Sequence, residues 1–189
     1  MNVYFLRHGF ALHNQEYKKK GISAYLDINL TDPELVEIGK EQAKKAGEVL
    51  KDIEFDYIYC SPLLRCIQTA NLAKPDKDIL LDDLIIEPQG KHFCNRRKDK
   101  IFLKEILKKR FNNTFNIDNV KEKYNFEMEN KDEINYRTKL FLNKLNILKN
   151  EGVKNVLVVT HHDFVNYFFK FNYGIKCSLI NCEIKQILI

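Results

Sequence analysis

The run Asn155-Val156-Leu157-Val158-Val159-Thr160 restricts the fold more than any other stretch of the chain. Its central aliphatic residues show no polar alternation, so the strand they form is buried on both faces. Strands of that kind belong to parallel sheets covered by helices on either side. Two further runs, Val3-Tyr4-Phe5-Leu6 and Phe55-Asp56-Tyr57-Ile58-Tyr59-Cys60, read as strands, and helical patterns separate them. The alternation predicts an α/β protein, a three-layer α/β/α sandwich with a mostly parallel central sheet.

Between the strands the reading is as follows. Phe10 to Leu30 is a polar loop. Asp32-Pro33-Glu34 starts a helix, with Pro in the first turn, and Leu35, Ile38, Ala43, Ala46, Val49 and Leu50 form its apolar face. Ser61 as N-cap and Pro62 as the first helical residue start a second helix at the end of a strand. Leu84-Ile85-Ile86 is a short strand or extended segment that delivers Glu87 to the same edge. Ile101 to Phe111 is a basic helix, and Asn112 to Asn130 is polar and turn-rich. Asp132 to Glu151 is a long helix with Ile134, Phe141, Leu145 and Leu148 on one face. Phe164 to Phe171 is an apolar helix with Asp163 as N-cap, and Glu183 to Ile189 is an edge strand. No repeat or long linker divides the chain, and the expectation is one domain over residues 1–189.

The chemistry-bearing residues cluster where strands end, which is where α/β sheets bind ligands. Arg7-His8-Gly9 follows the first strand. Arg65 lies about one turn into the helix that begins near Ser61, where free N–H groups and the helix dipole favour an anion. Glu87 precedes Pro88, which biases it towards an extended backbone. His161-His162-Asp163 follows the Val156–Val159 strand.

These pieces resemble, in order, the motifs of the histidine phosphatase (phosphoglycerate mutase-like) superfamily. The matching stretches are Leu6-Arg7-His8-Gly9, Ser61-Pro62-Leu63-Leu64-Arg65-Cys66-Ile67-Gln68-Thr69-Ala70, Glu87 and Val158-Val159-Thr160-His161. The resemblance spans nearly the whole chain, and the Ser-Pro-x-x-Arg-x-x-Gln-Thr-Ala stretch is its most specific part. It implies a phosphoglycerate mutase-like fold and a metal-independent phosphomonoester hydrolase working through a phosphohistidine. In that scheme His8 is the nucleophile, and Glu87 is the proton donor and later the base. Arg7, Arg65 and His161 form the phosphate pocket, His161 counting among the catalytic residues, and Asn14 is an outer-pocket position. Two guanidiniums and an imidazole supply the charge stabilisation that phosphoryl transfer needs, so no metal and no cofactor is expected. The chain departs from the family pattern in three places. Leu35-Val36 stands where Leu-Thr is common, so the local cap is lost or moved to Thr31 or Asp32. His162 replaces a common Gly and adds an imidazole at the pocket mouth, as a candidate substrate-binding residue. Asn166 stands where an Arg often follows.

Two other readings of the same motifs are a phosphoglycerate mutase-type phosphoryl transferase and a non-catalytic phosphate- or phosphoprotein-binding domain. The stretch between Glu87 and His161 is short for the former. A metal site of His8, His161, His162 and Asp163 is a third, disfavoured because adjacent histidines at a strand end point apart. Five cysteines without C-x-x-C spacing suit reduced thiols in a cytoplasmic setting. Because the opening strand carries the Arg-His-Gly motif, a cleaved signal peptide is not expected, and no run is long enough for a membrane span. A net charge of +5, dispersed among both signs, fits an anionic substrate but no nucleic-acid partner. The expected partner is a small phosphorylated substrate, with a phosphoprotein as the second class. The basic stretches Lys18-Lys19-Lys20 and Lys91 to Lys98 read either as solvated surface or as contacts to further phosphates.

Overall fold

The computed structural model describes residues 1–74, 77–124 and 127–189. Its six strands are β1 (Asn2–Arg7), β2 (Tyr57–Cys60), β3 (Ile79–Asp82), β4 (Phe115–Asn119), β5 (Asn155–Thr160) and β6 (Ile184–Leu188). They form one sheet in the order β4-β3-β2-β5-β1-β6. Every pairing is parallel except that of β6, which runs antiparallel along β1 at the edge. The helices are α1 (Leu12–Lys20), α2 (Glu37–Leu50), α3 (Leu64–Ala73), α4 (Lys100–Arg110), α5 (Lys131–Asn150) and α6 (His162–Tyr173). The architecture is thus the expected mostly parallel α/β sheet flanked by helices.

The strands obey period two although nearly every position is apolar. Val3, Phe5, Tyr59, Val156 and Val158 face α5 and α6, where Phe141, Leu145, Phe164 and Phe168 complete one core. Leu6, Ile58, Cys60, Leu157 and Val159 face the other way, onto Ala46, Leu50, Ile67, Leu103 and Leu107 of α2, α3 and α4. Burial on both faces explains the unbroken apolar run of β5. β5 enters between β1 and β2, and the register sets Arg7 opposite Thr160 and Cys60 opposite Val159. The carboxyl ends of β1, β5 and β2 therefore finish level with one another, and the residues that follow them meet.

The sequence reading fails where local polarity hides order. Residues 10–30 are not a loop: they hold α1 and two 3₁₀ segments, Gly21–Leu26 and Ile28–Leu30. α1 has no apolar stripe, and His13 is its buried residue, so periodicity does not reveal it. It is held at its ends, where Ala11 N–H donates to Asn14 Oδ1 and Lys18, Lys19 and Lys20 meet the negative end of its dipole. α2 starts at Glu37 after Val36, not at Asp32-Pro33-Glu34. Its buried stripe is Gly39, Ala43, Ala46 and Leu50, while Ile38 and Val49 face solvent. α3 starts at Leu64, so Ser61 and Pro62 precede it. Asp32, one of the candidate caps of α2, instead accepts a hydrogen bond from the Leu64 N–H at 2.8 Å and caps α3 from across the fold. Residues 112–130 contain β4, and Leu84-Ile85-Ile86 is a 3₁₀ turn (Asp83–Ile85) leading into extended Ile86. The cap of α6 is His161, with Asp163 in the first turn.

Candidate active site

The loop after β1 is pressed against the start of α2. A Cβ on Gly9 would lie 2.5 Å from the Gly39 carbonyl oxygen, and one on Gly39 would overlap the Phe10 carbonyl. Glycine is needed at both positions because backbone meets backbone there. The Gly9 N–H donates to Thr69 Oγ1 at 3.0 Å, and the His8 N–H donates to the Thr160 carbonyl at 2.9 Å. His8 is thereby fixed between β5 and α3.

Its ring is oriented from both sides. Nδ1 is 2.8 Å from the Gly9 carbonyl, which can only accept, so Nδ1 carries the proton. Nε2 then presents its lone pair, 3.3 Å from Arg65 Nε. Burial, followed by Arg65 and Arg7, pushes the imidazole well below its ordinary range, so it is neutral at pH 7. A neutral imidazole with an unprotonated, directed Nε2 has the chemistry of a nucleophile.

Arg65 is 1% exposed, and its guanidinium also donates from Nη1 to the Cys94 carbonyl and from Nη2 to Asn95 Oδ1. These bonds fix the fork and leave N–H groups over for a ligand. Arg7 donates to the Leu179 carbonyl at 2.7 Å, while its Nε is buried without a protein partner. His13 Nδ1 is another buried atom lacking one. Such under-satisfied groups are rare in protein interiors, and two of them lie beside His8.

Glu87 approaches from the far side. Its carboxylate accepts from the Phe164 N–H at 3.0 Å and, more weakly, the Asp163 N–H at 3.4 Å, at the start of α6. Burial and then neighbouring Asp163 raise its pKa to about 7, against the opposing pull of Arg65 and the two N–H groups. A carboxyl poised near neutrality can both give and take a proton. The segment carrying it is tied to α5. Arg137 donates to the Leu84 and Ile86 carbonyls, both at 2.8 Å, and forms a two-pronged pair with Glu129. Glu129 in turn accepts from the Gln89 N–H.

Arg7, His8, Asn14, Arg65, Glu87 and His162 share the wall of one cavity of about 200 Å³. His161 does not line it. It is fully buried behind His8, with Nε2 2.7 Å from Ser61 Oγ and its ring 5.1 Å edge-on from the His8 ring. As the cap residue of α6 it turns its ring towards Ser61 and Cys66, where β2 gives way to α3. Residues that sequence reasoning did not assign to the phosphate pocket complete the wall: His13, Tyr25, His92, Cys94, Asn95 and Asp163. His13 and Tyr25 lie in the segment read as loop, and no spacing signal marks them. His92, Cys94 and Asn95 lie in the basic stretch, whose charge drew attention away from its polar members. Among the described residues, no group of three or more His, Cys, Asp or Glu side chains is arranged to hold a metal ion. Among them, no helix is long and apolar enough to cross a membrane.

Comparison with known proteins was made on sequence and on fold. Residues 3–180 match the model of the histidine phosphatase superfamily (branch 1). A 2,3-bisphosphoglycerate-dependent phosphoglycerate mutase of Actinobacillus pleuropneumoniae serotype 5b is 38% identical over 82 residues, which are 42% of this chain and 33% of that protein. The chain thus matches about a third of the length of that curated relative. In fold, the α-ribazole phosphatase of Shigella flexneri superimposes with a TM-score of 0.69 at 17% identity, covering 100% of this chain and 91% of that one. A phosphoglycerate mutase of Bacillus anthracis gives 0.67 at 22% identity, covering 98% and 86%.

Proposed function

We propose, from the premise that this chain belongs to the histidine phosphatase superfamily (branch 1), that it is a phosphomonoester hydrolase with His8 as nucleophile and Glu87 as acid and base. One observation carries the reading: a neutral His8 with its Nε2 lone pair held towards Arg65 lines the same cavity as a carboxyl whose pKa is about 7.

The steps follow from those positions. The phosphate of the ester lies against Arg7 and Arg65, which offset its charge. His8 Nε2 attacks phosphorus, and the bond from phosphorus to the ester oxygen breaks. Protonated Glu87 gives its proton to that oxygen and the alcohol leaves. Water then attacks the phosphohistidine, Glu87 takes its proton, and the nitrogen–phosphorus bond breaks to free phosphate. Asn14 and His162 contact the outer part of the substrate. His161 acts from behind, as the ring against which His8 is held, with Ser61 fixing its position. No metal enters any step.

A mutase is the second reading, favoured by the curated relative with that activity. It differs in the acceptor of the phosphoryl group, an alcohol in place of water. Rapid quenching during turnover separates the alternatives. A phosphoryl group on His8 is labile in acid and stable in base, and His8→Ala removes it. Release of inorganic phosphate marks the phosphatase, and transfer without release marks the mutase. A label that persists in His8→Ala, or activity lost to a chelator, rejects the mechanism.

A further inference from the structure

The cavity divides into a cationic floor and a rim of different chemistry. The guanidiniums of the wall, Arg7 and Arg65, flank His8. The rim carries Asp163, whose side chain is 57% exposed, and the rings of Tyr25 and His92. Asp163 is close enough to Glu87, Arg7 and His92 to act on the charge of all three.

Several of the basic residues that the sequence offers for a second anion are engaged elsewhere, and Lys91, which acts on the charge of His92, stands outside the cavity wall. Lys19 and Lys20 pair with Glu16, and Lys18 lies over the Phe10 ring. Arg97 is buried against Asp83, and no lysine lines the cavity. A substrate with a second phosphate or a carboxylate beside its ester would meet Asp163 with no cation on the cavity wall beyond the floor. Like charges placed together in this way are selected against. The rings, in contrast, make a surface. Tyr25 stacks on Tyr17 at 4.9 Å and meets His92 edge-on at 5.3 Å. Supported rings of this kind receive another ring by stacking or edge contact.

Building on the phosphatase reading, we infer that the cleft selects phosphomonoesters of neutral, ring-bearing alcohols, with Asp163 as the residue that turns away an anionic leaving group. Asp163 acts on specificity and not on the phosphoryl group itself. Its effect is therefore read from a ratio of two esters, in which changes at the reacting centre cancel.

The test compares phenyl phosphate with 4-carboxyphenyl phosphate, which differ in charge but share an aryl leaving oxygen. The wild type should have a kcat/KM for phenyl phosphate roughly 10-fold the higher, and Asp163→Asn should bring the two to within about 2-fold. Tyr25→Ala should raise KM for phenyl phosphate several-fold and leave inhibition by inorganic phosphate unchanged. Equal use of both esters by the wild type, or a ratio that Asp163→Asn leaves unmoved, overturns the inference while a His8 label still supports the phosphatase. Absence of both turnover and label rejects the phosphatase reading, and the inference with it.

Discussion

The two sides of the cleft are built on different principles. The side of the proposed nucleophile hangs on the sheet: His8 follows β1, Arg65 lies in the first turn of α3 and His161 follows β5, and apolar packing fixes their backbones. The acid side hangs on charged and polar ties. Glu87 sits on a half-buried segment between a 3₁₀ turn and α4, and Arg137, Glu129, Arg97 and Asp83 tie that region to α5 and to neighbouring carbonyls. Packing holds a backbone at any pH, whereas such ties hold it only while both partners stay ionised and paired. The difference implies that the acid can be disturbed without loss of phosphate binding, and that the converse does not hold.

The sharpest way to break the comparison is Glu87→Gln. Turnover should fall about 10²–10⁴-fold with phosphate affinity retained, the usual effect of removing a general acid. Esters with poor leaving groups should suffer most. In the wild type, kcat/KM for such esters should fall as pH rises through about 7, because the proposed first step uses the protonated carboxyl. His8 sets the other limb, and since its pKa is well below 6.5, activity should persist into mildly acid solution. Glu87→Gln should abolish the alkaline limb. Retention of that limb would assign it to another group.

Arg137 sharpens the contrast at a smaller scale. Its removal strands the half-buried Glu129 and two carbonyls, and should cost about 3 kcal/mol of stability. Arg137→Ala should also lower kcat on poor leaving groups and shift the alkaline limb, with inhibition by inorganic phosphate unaltered. Arg137→Lys should restore part of the stability but little of the pH profile, because lysine lacks the fork that spans Glu129 and both carbonyls. A stability loss with an unchanged pH profile would make Arg137 structural alone.

The smallest effect is expected at Asp32, on the packed side. Its carboxyl is buried with a pKa raised from 3.8 to about 7, chiefly by burial. The unfolded chain gives up this proton more readily than the folded one, so the group lowers stability progressively as pH rises from about 4 to 7. Asp32 also has φ 47°, in the left-handed region. Asparagine tolerates that conformation and keeps an oxygen for the Leu64 N–H. Asp32→Asn should therefore raise Tm by a few degrees at pH 8 and have little effect near pH 4. An equal gain at both pH values would exclude ionisation as the cause.

The same division governs what could be read before the fold was known. β1, β2 and β5 are legible because burial on both faces requires unbroken apolar runs, and residues that follow such strands collect at one edge. Arg7, His8 and Arg65 come together for that reason. α5 is legible through Ile134, Phe141, Leu145 and Leu148, all of them buried. α1 was hidden because its stability comes from its ends and not from a stripe. Asp32 looked like the cap of the helix next to it, and only the approach of two distant segments made it the cap of α3.

The amino-acid sequence by itself determined the three central strands β1, β2 and β5 and the residue types that follow them, since these depend on local periodicity and strand burial, whereas β3, β4 and the register came from the fold. Tertiary structure alone decided which nitrogen of His8 carries the proton, that His161 lies behind the cavity, that Glu87 rests on the first turn of α6, and that Tyr25, His92 and Asp163 form the rim. Those features depend on contacts between residues far apart in the chain, and no local pattern encodes a distance.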